Sequence, residues 1–132
     1  MVQTTWRRSP FLPNVEHVKP PFVRKLYKEN EIKIIDVRFE WEYEDHHIPG
    51  SILVPMHVLD QVLPNLGLNK IAIVCEHGNR TTWLVNNKYY LFKGMKVYNM
   101  IGGMESWMRF GYEVEKGMDE NGELWKRFLK KV

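Results

Sequence analysis

The chain of 132 residues contains a single cysteine, Cys75. One thiol excludes an intramolecular disulfide, and it excludes a structural metal site built from several thiolates of this chain. No apolar run approaches the roughly 20 residues that a membrane-spanning helix requires. A net charge of +3 is smaller than nucleic-acid-binding proteins usually carry. Arg7 and Arg8 are not followed by the apolar segment of an export signal. We therefore expect a cytoplasmic protein that binds neither membrane nor nucleic acid.

The length suits one compact domain, and the apolar pattern indicates its class. Short runs rich in β-branched residues predict buried strands at 32–37, 51–54, 70–75 and 96–100. Between them, segments with helical spacing of apolar residues predict helices at 22–28, 39–45, 57–66, 81–92 and 103–110. This alternation predicts an α/β fold with a central, mainly parallel sheet and helices on both faces.

The two ends of the chain have different patterns. Residues 1–21 contain four prolines, which predict an extended N-terminal arm with one short edge strand. Residues 22–132 are the predicted domain, and its last segment, 122–131, predicts an amphipathic helix. We expect the apolar face of this helix to pack on the domain. The alternative is a docking surface for a carrier protein, RNA or an acidic membrane.

The loop Cys75–Thr81 follows a predicted buried strand and precedes a predicted helix. Active sites of such sheets lie beyond the carboxyl ends of the strands. The first amides of a helix have no intrahelical acceptor and favour an anion. Gly78 and Asn79 tolerate left-handed backbone angles, and Arg80 adds a positive charge. These features stabilise a thiolate and indicate a nucleophile. The alternative, a buried cysteine that merely ends a strand, leaves this grouping unexplained.

Three motifs, in order, resemble the rhodanese family, and the resemblance covers residues 32–116. The first comprises Asp36-Val37-Arg38, Glu42-Tyr43 and His47-Ile48-Pro49-Gly50-Ser51; the second is the loop CEHGNRT at 75–81; the third is 97–103 with Trp107. The resemblance implies a rhodanese-like fold and a sulfurtransferase that needs no cofactor. In such an enzyme Cys75 would take a sulfane sulfur as a persulfide and pass it to a thiophilic acceptor.

The resemblance also implies roles for the residues around the thiol. Cys75 and Arg80 are the expected catalytic residues. The expected substrate-binding residues are Glu76, His77, Gly78, Asn79 and Thr81. Asp36 and Arg38 are expected to support the loop by pairing with each other or with Arg80. The expected partners are a small sulfur donor (thiosulfate, polysulfide or a protein persulfide), a thiophilic acceptor and a sulfur-relay protein.

Several side chains near the loop have more than one interpretation. Glu76 would repel a dianionic donor if it faced the thiol, and it would have little effect if it pointed into solvent. His77 could relay a proton or bind an oxyanion, or it could contribute only its backbone N–H. The run at residues 44–47 is similar to a set of metal ligands. Because adjacent residues do not easily converge on one ion, no metal site is expected.

Two other functions are alternatives to sulfur transfer. One is an oxyanion-processing phosphatase or arsenate reductase, and the other is a non-catalytic rhodanese-like interaction module. Four residues separate Cys75 from Arg80, whereas the related phosphatases and reductases have one more, which widens the loop for a tetrahedral oxyanion. Interaction modules often lack the cysteine, which is present here. Both features favour sulfur transfer.

Overall fold

One six-stranded sheet forms the centre of the computed structural model, which describes residues 8–9 and 12–129, with side chains from residue 14 onward. The strands are β1 (Arg8–Ser9), β2 (Leu12–Val18), β3 (Lys33–Asp36), β4 (Ile52–Leu53), β5 (Lys70–Val74) and β6 (Lys96–Met100). Their order in the sheet is β1-β2-β6-β5-β3-β4. The β1–β2 pair is antiparallel and all other neighbouring pairs are parallel. The mainly parallel sheet predicted from the sequence is confirmed.

The helices are α1 (Pro20–Lys28), α2 (Glu40–Asp45), α3 (Leu59–Val62), α4 (Asn79–Asn87), α5 (Gly103–Arg109) and α6 (Glu120–Glu123). The single helix predicted at 57–66 is instead α3 between two 3-10 turns. Pro64 in the second turn has no N–H to donate and cannot continue an α-helix. Within the described residues, no helix has the length and apolar composition needed to cross a bilayer.

Alternate side chains of the strands enter two cores on opposite faces of the sheet. On one face, Ile35 and Ile73 pack with residues of α3 and α4. On the other face, Ile34 and Val74 pack with residues of α1 and α5. The period of two follows from strand geometry. Helices therefore cover both faces, as the alternating pattern predicts.

Part of the predicted N-terminal arm belongs to the sheet. β2 runs parallel to β6, from the pair Val15–Val97 to the pair Val18–Met100, and Val15 is fully buried. The sequence pattern indicated only a short edge strand because residues 1–21 contain four prolines. Residues 1–7 and 10–11 of the arm lie outside the described residues. The domain bounds of 22–132 stay a prediction.

The C-terminal segment forms α6 and a following 3-10 turn, Leu124–Phe128, in place of one helix at 122–131. The Asp119 carboxylate caps α6 by accepting the Gly122 N–H at 2.8 Å. The buried Trp125 indole packs in the same core as α3 and α4 and donates to the Gly122 carbonyl at 2.9 Å. The apolar side of this segment thus packs on the domain. Residues 130–132 lie outside the described residues.

We expect Trp125→Ala to lower the free energy of unfolding by about 3 kcal/mol, because it removes a large side chain from the core. Trp41→Ala is the matched control, since Trp41 is 69% exposed, and it should change stability by about 0.5 kcal/mol or less. Urea unfolding of both variants measures the difference. Equal stabilities for the two variants would contradict the packing described here.

Candidate active site

Cys75 follows β5 directly, at the carboxyl end of an interior strand of the sheet. Helix α4 begins four residues later, and Gly78 turns the chain into it with a φ of +94°, a conformation that favours glycine. The Cys75 side chain is 1% exposed and belongs to the core that includes residues of α4. The strand and the glycine turn together place the thiol beside the first turn of the helix.

Polar groups of the loop surround the sulfur. The Gly78 N–H donates to Cys75 Sγ at 3.1 Å, and Thr81 Oγ1 lies 3.6 Å from the same sulfur. The α4 hydrogen-bond pattern starts with Thr82 N–H donating to the Gly78 carbonyl at 3.2 Å. The three preceding amides of the helix have no intrahelical acceptor. This arrangement favours negative charge on Sγ, or on a second sulfur attached to it.

The carbonyls of the loop are bound to α5. The Met104 N–H donates to the Cys75 carbonyl at 2.8 Å, and the Glu105 N–H donates to the Glu76 carbonyl at 2.9 Å. Gly103 permits this approach, since a Cβ there would collide with both carbonyl oxygens. Because the loop carbonyls accept hydrogen bonds from α5, these bonds anchor the loop without using its N–H groups. The Gly78 N–H is therefore able to donate to the sulfur.

Arg80 forms a two-pronged ion pair with Glu42 of α2. Its Nη1 and Nη2 donate to the two carboxylate oxygens at 2.8 and 2.7 Å. The guanidinium also lies 5.7 Å from the centre of the Phe39 ring, within cation–π range. Sequence reasoning gave Arg80 a positive charge and did not name Glu42 as its partner. In the structure Glu42 compensates that charge and holds the guanidinium in one orientation.

Glu42 belongs to the site because it binds Arg80. The sequence analysis did not identify it as a partner of Arg80. Its position three residues after Phe39 is a helix-capping position, and its Oε1 accepts the Phe39 N–H at 2.9 Å. Burial raises the pKa of Glu42, but hydrogen bonds from Arg80 and Phe39 outweigh burial and keep the pKa below its ordinary value of 4.5. The carboxylate is therefore ionised in the folded state at neutral pH.

Arg38 is fully buried behind the loop and joins three parts of the chain. Its Nε and Nη2 donate to Asp36 at 2.9 and 2.8 Å. It also donates to the His46 carbonyl at 2.6 Å and to Glu76 Oε1 at 2.8 Å. Asp36 and Arg38 thus pair with each other, and not with Arg80 in the contacts described, and their pair reaches the loop through Glu76.

Neither interpretation of Glu76 from the sequence describes its position. Its side chain is 20% exposed, binds Arg38, and lies 3.2 Å from His46 Nε2. The Glu76 carboxylate is therefore neither free in solvent nor uncompensated beside the thiol. Around the loop, three carboxylates (Asp36, Glu42 and Glu76) face two guanidiniums. The carboxylates therefore exceed the guanidiniums by one.

The side chains of His77 and Asn79 are exposed at the surface. His77 is 59% exposed, and its Nδ1 lies 3.0 Å from Glu105 Oε1 of α5. Asn79 lines a polar depression of about 290 Å³ beside the loop, together with His17, His77, Gly78, Thr82, Asn99, Ile101 and Gly102. The described contacts join His77 to α5 and not to the sulfur. This geometry favours the interpretation in which His77 contributes its backbone N–H.

The run at residues 44–47 does not converge on one point. His46 lies 2.7 Å from Asp45 Oδ2 and also contacts Glu76. His47 is buried and contacts Glu115 and Asp119, which are 68 and 72 residues away in the chain. No sequence signal links these distant residues. The metal site considered for the run itself has no counterpart in the described contacts.

We expect Glu42→Gln to destabilise the protein by about 1 kcal/mol at neutral pH, since the partly exposed pair is screened by water. The Glu42 pKa is lowered by folding, so its stabilising effect is present above pH 4.5 and is lost as pH falls below that value. Urea unfolding at a series of pH values measures this, with exposed Glu44→Gln as control. If the free energies of unfolding of wild type and Glu42→Gln differ by the same amount down to about pH 3, the ion pair is contradicted.

Comparisons with known proteins agree with this geometry. The model of the Rhodanese-like domain family matches residues 20–110. The thiosulfate sulfurtransferase GlpE of Pseudomonas syringae is 30% identical over 90 residues, covering 67% of this chain and 83% of that protein. The putative sulfur carrier protein YrkF of Bacillus subtilis is 34% identical over 88 residues, covering 65% of this chain. The chain matches 46% of the length of YrkF, about half of that relative.

A solved structure has the same architecture. The chain superposes on a rhodanese-related protein of Thermoplasma volcanium with a TM-score of 0.64 and 26% identity. The superposition covers 75% of this chain and 96% of that protein. The α/β fold described above is therefore a rhodanese-like fold.

Proposed function

The chain belongs to the rhodanese-like domain family, and on that premise we propose that it is a sulfurtransferase in which Cys75 carries a sulfane sulfur as a persulfide. The observation that carries the proposal is the hydrogen bond of 3.1 Å from the Gly78 N–H to Cys75 Sγ, at the N-terminus of α4. Relatives named as a thiosulfate sulfurtransferase and a putative sulfur carrier support it. The cytoplasmic location stays a prediction.

In the first half-reaction, the Cys75 thiol loses its proton to solvent and the thiolate attacks the sulfane sulfur of the donor. With thiosulfate, a bond forms between Sγ and that sulfur. The S–S bond of thiosulfate breaks, and sulfite leaves with the electron pair. Cys75 is then a persulfide, and its outer sulfur carries negative charge. The amides at the start of α4 stabilise this charge as an oxyanion hole stabilises oxygen.

In the second half-reaction, a thiophilic acceptor attacks the outer sulfur of the persulfide. Cyanide takes the sulfur as thiocyanate, and a thiolate acceptor takes it as a new persulfide. The bond between the two sulfurs of the enzyme breaks, and its electron pair returns to Sγ as the thiolate. The Gly78 N–H, which already donates to Sγ, stabilises this leaving group.

Three ion pairs position the loop, and together they contain one carboxylate more than guanidiniums. Arg80 is compensated by Glu42, and Arg38 is shared by Asp36 and Glu76. The backbone amides therefore carry the stabilisation of the anion. The excess carboxylate disfavours a dianionic donor such as thiosulfate relative to polysulfide or a partner protein's persulfide.

The alternatives, a phosphatase and a non-catalytic module, have less support. A phosphate group needs a loop that can surround a tetrahedral oxyanion. Here the loop is one residue shorter than in such enzymes, and the Gly78 N–H already reaches Sγ. A non-catalytic module would not require a cysteine held by hydrogen-bond donors. Both alternatives remain outcomes of the following experiment.

We expect wild-type protein treated with polysulfide to gain the mass of one sulfur atom on Cys75, measured by intact mass spectrometry. Cys75→Ser should gain none and should lose transfer to cyanide by about 1000-fold or more. Circular dichroism should show an unchanged fold, since the two side chains are nearly isosteric. More than trace transfer by Cys75→Ser would refute the persulfide mechanism. Cysteine-dependent hydrolysis of p-nitrophenyl phosphate at a comparable rate would favour the phosphatase.

We expect Glu76→Gln to raise kcat/KM for thiosulfate by about 2- to 5-fold at low salt, and to raise it less for polysulfide. The change removes one negative charge beside Cys75 while its amide can still accept from Arg38. Glu29→Gln is the matched control, because Glu29 lies exposed at the end of α1, before β3 begins. Equal gains for both donors, or gains that persist at high salt, would show that Glu76 does not act on the donor charge.

A further inference from the structure

The contacts of the His47 ring show which of its two nitrogens carries a hydrogen. The ring stacks on Tyr43 with centroids 3.7 Å apart, and its Nδ1 lies 2.7 Å from the Tyr43 carbonyl oxygen. A carbonyl oxygen only accepts hydrogen bonds, so Nδ1 carries the hydrogen. In a neutral imidazole the other nitrogen, Nε2, then offers only a lone pair. The His47 side chain is 1% exposed, so water does not readily satisfy that lone pair.

This buried lone pair points at two carboxylates. His47 Nε2 lies 3.1 Å from Glu115 Oε2 and 3.1 Å from Asp119 Oδ2. In the neutral ring none of the three atoms has a hydrogen to donate to the others. Three acceptors at such distances require a hydrogen or a metal ion among them. The hydrogen would lie on Nε2 or on a carboxyl oxygen, and a metal ion would accept a lone pair from all three atoms.

Further contacts hold the two carboxylates in place. Asp119 Oδ1 accepts from the Tyr43 hydroxyl at 2.8 Å and from the Gly122 N–H at 2.8 Å, which leaves Oδ2 for the cluster. Burial, and then the hydrogen bond to Asp119, raise the pKa of Tyr43, so its hydroxyl remains a donor. The backbones of His47 and Glu115 exchange two hydrogen bonds of 2.9 Å. Such supporting contacts are typical of metal ligands.

We propose that His47 Nε2, Glu115 Oε2 and Asp119 Oδ2 bind one divalent transition-metal ion of the zinc type. The three atoms lie within 4.8 Å of one another. Zinc bonds of about 2.0–2.2 Å place tetrahedral ligand atoms roughly 3.3–3.5 Å apart, close to the 3.1 Å separations here. The carboxylates are 46% and 35% exposed, so water can take the remaining position. The imidazole ligand favours zinc over magnesium or calcium.

The ion would join the domain to its C-terminal segment. Glu115 and Asp119 both lie beyond residues 20–110, which match the family model, whereas His47 lies within them. The site connects the turn after α2 to the start of α6. It is a structural site, and it stands independently of the proposed sulfur transfer. The sequence analysis expected no metal because adjacent residues of the run 44–47 do not easily converge on one ion.

Zinc titration of the full chain by isothermal calorimetry tests the site. The protein carries Cys75→Ser, so that the active-site thiolate cannot bind the metal. We expect one zinc site, with Kd raised at least about tenfold by Glu115→Gln and by Asp119→Asn. His46→Gln is the matched control, because His46 contacts other carboxylates, those of Asp45 and Glu76. The zinc affinity of this variant should equal that of the unchanged site. Magnesium at the same concentration as zinc should not reduce zinc binding at this site.

A second measurement separates a metal ion from a proton. In ¹⁵N-labelled protein, saturating zinc should shift the His47 Nε2 resonance and remove any hydrogen on it. A hydrogen that persists on Nε2 with zinc present would overturn the proposal in favour of an imidazolium. No zinc binding, or binding that Glu115→Gln leaves unchanged, would also overturn it. Asp119→Asn keeps an oxygen that can cap α6; if it nevertheless prevents folding, Glu115→Gln alone decides the test.

Discussion

The arrangement of the active-site loop depends on the hydrogen bonds of one buried group, the guanidinium of Arg38. A fully buried charge is stable only when its hydrogen-bonding groups are matched by acceptors. Arg38 finds them on β3 at Asp36, on the turn after α2 at the His46 carbonyl, and on the cysteine loop at Glu76. Three separate segments must therefore meet at this edge. The position of the Cys75 loop follows from that requirement.

The same loop is held on its other sides by neutral and ionic contacts of different kinds. Amides of α5 bind the carbonyls of Cys75 and Glu76, and Glu42 binds Arg80. The loop carbonyls thus accept hydrogen bonds from α5, while the N–H groups at the start of α4 lie near the sulfur. In this arrangement the stabilisation of a sulfur anion comes from oriented backbone dipoles. These dipoles need no reorganisation when negative charge develops.

The strands, helices and reactive loop of this chain were largely accessible from local patterns. Runs of β-branched residues mark the interior strands because strands buried on both faces are continuously apolar. The pattern failed at β2, where Val15 is fully buried between the polar residues Asn14 and Glu16, and at residues 57–66, where Pro64 interrupts a helix. In both places a tertiary or backbone constraint outweighed the local apolar pattern.

The sequence by itself determined most of the elements, their alternation, the single thiol and its place between a strand and a helix, because these depend on residue type and spacing along the chain. Tertiary structure decided the partners. Arg80 pairs with Glu42 and Arg38 reaches Glu76, each across 38 residues, and His47 meets Asp119 across 72. These pairs depend on which strand ends and turns adjoin at one edge of the sheet. Spacing along the chain carries no information on that adjacency, so the charge compensation and the proposed metal site appear only in the folded protein.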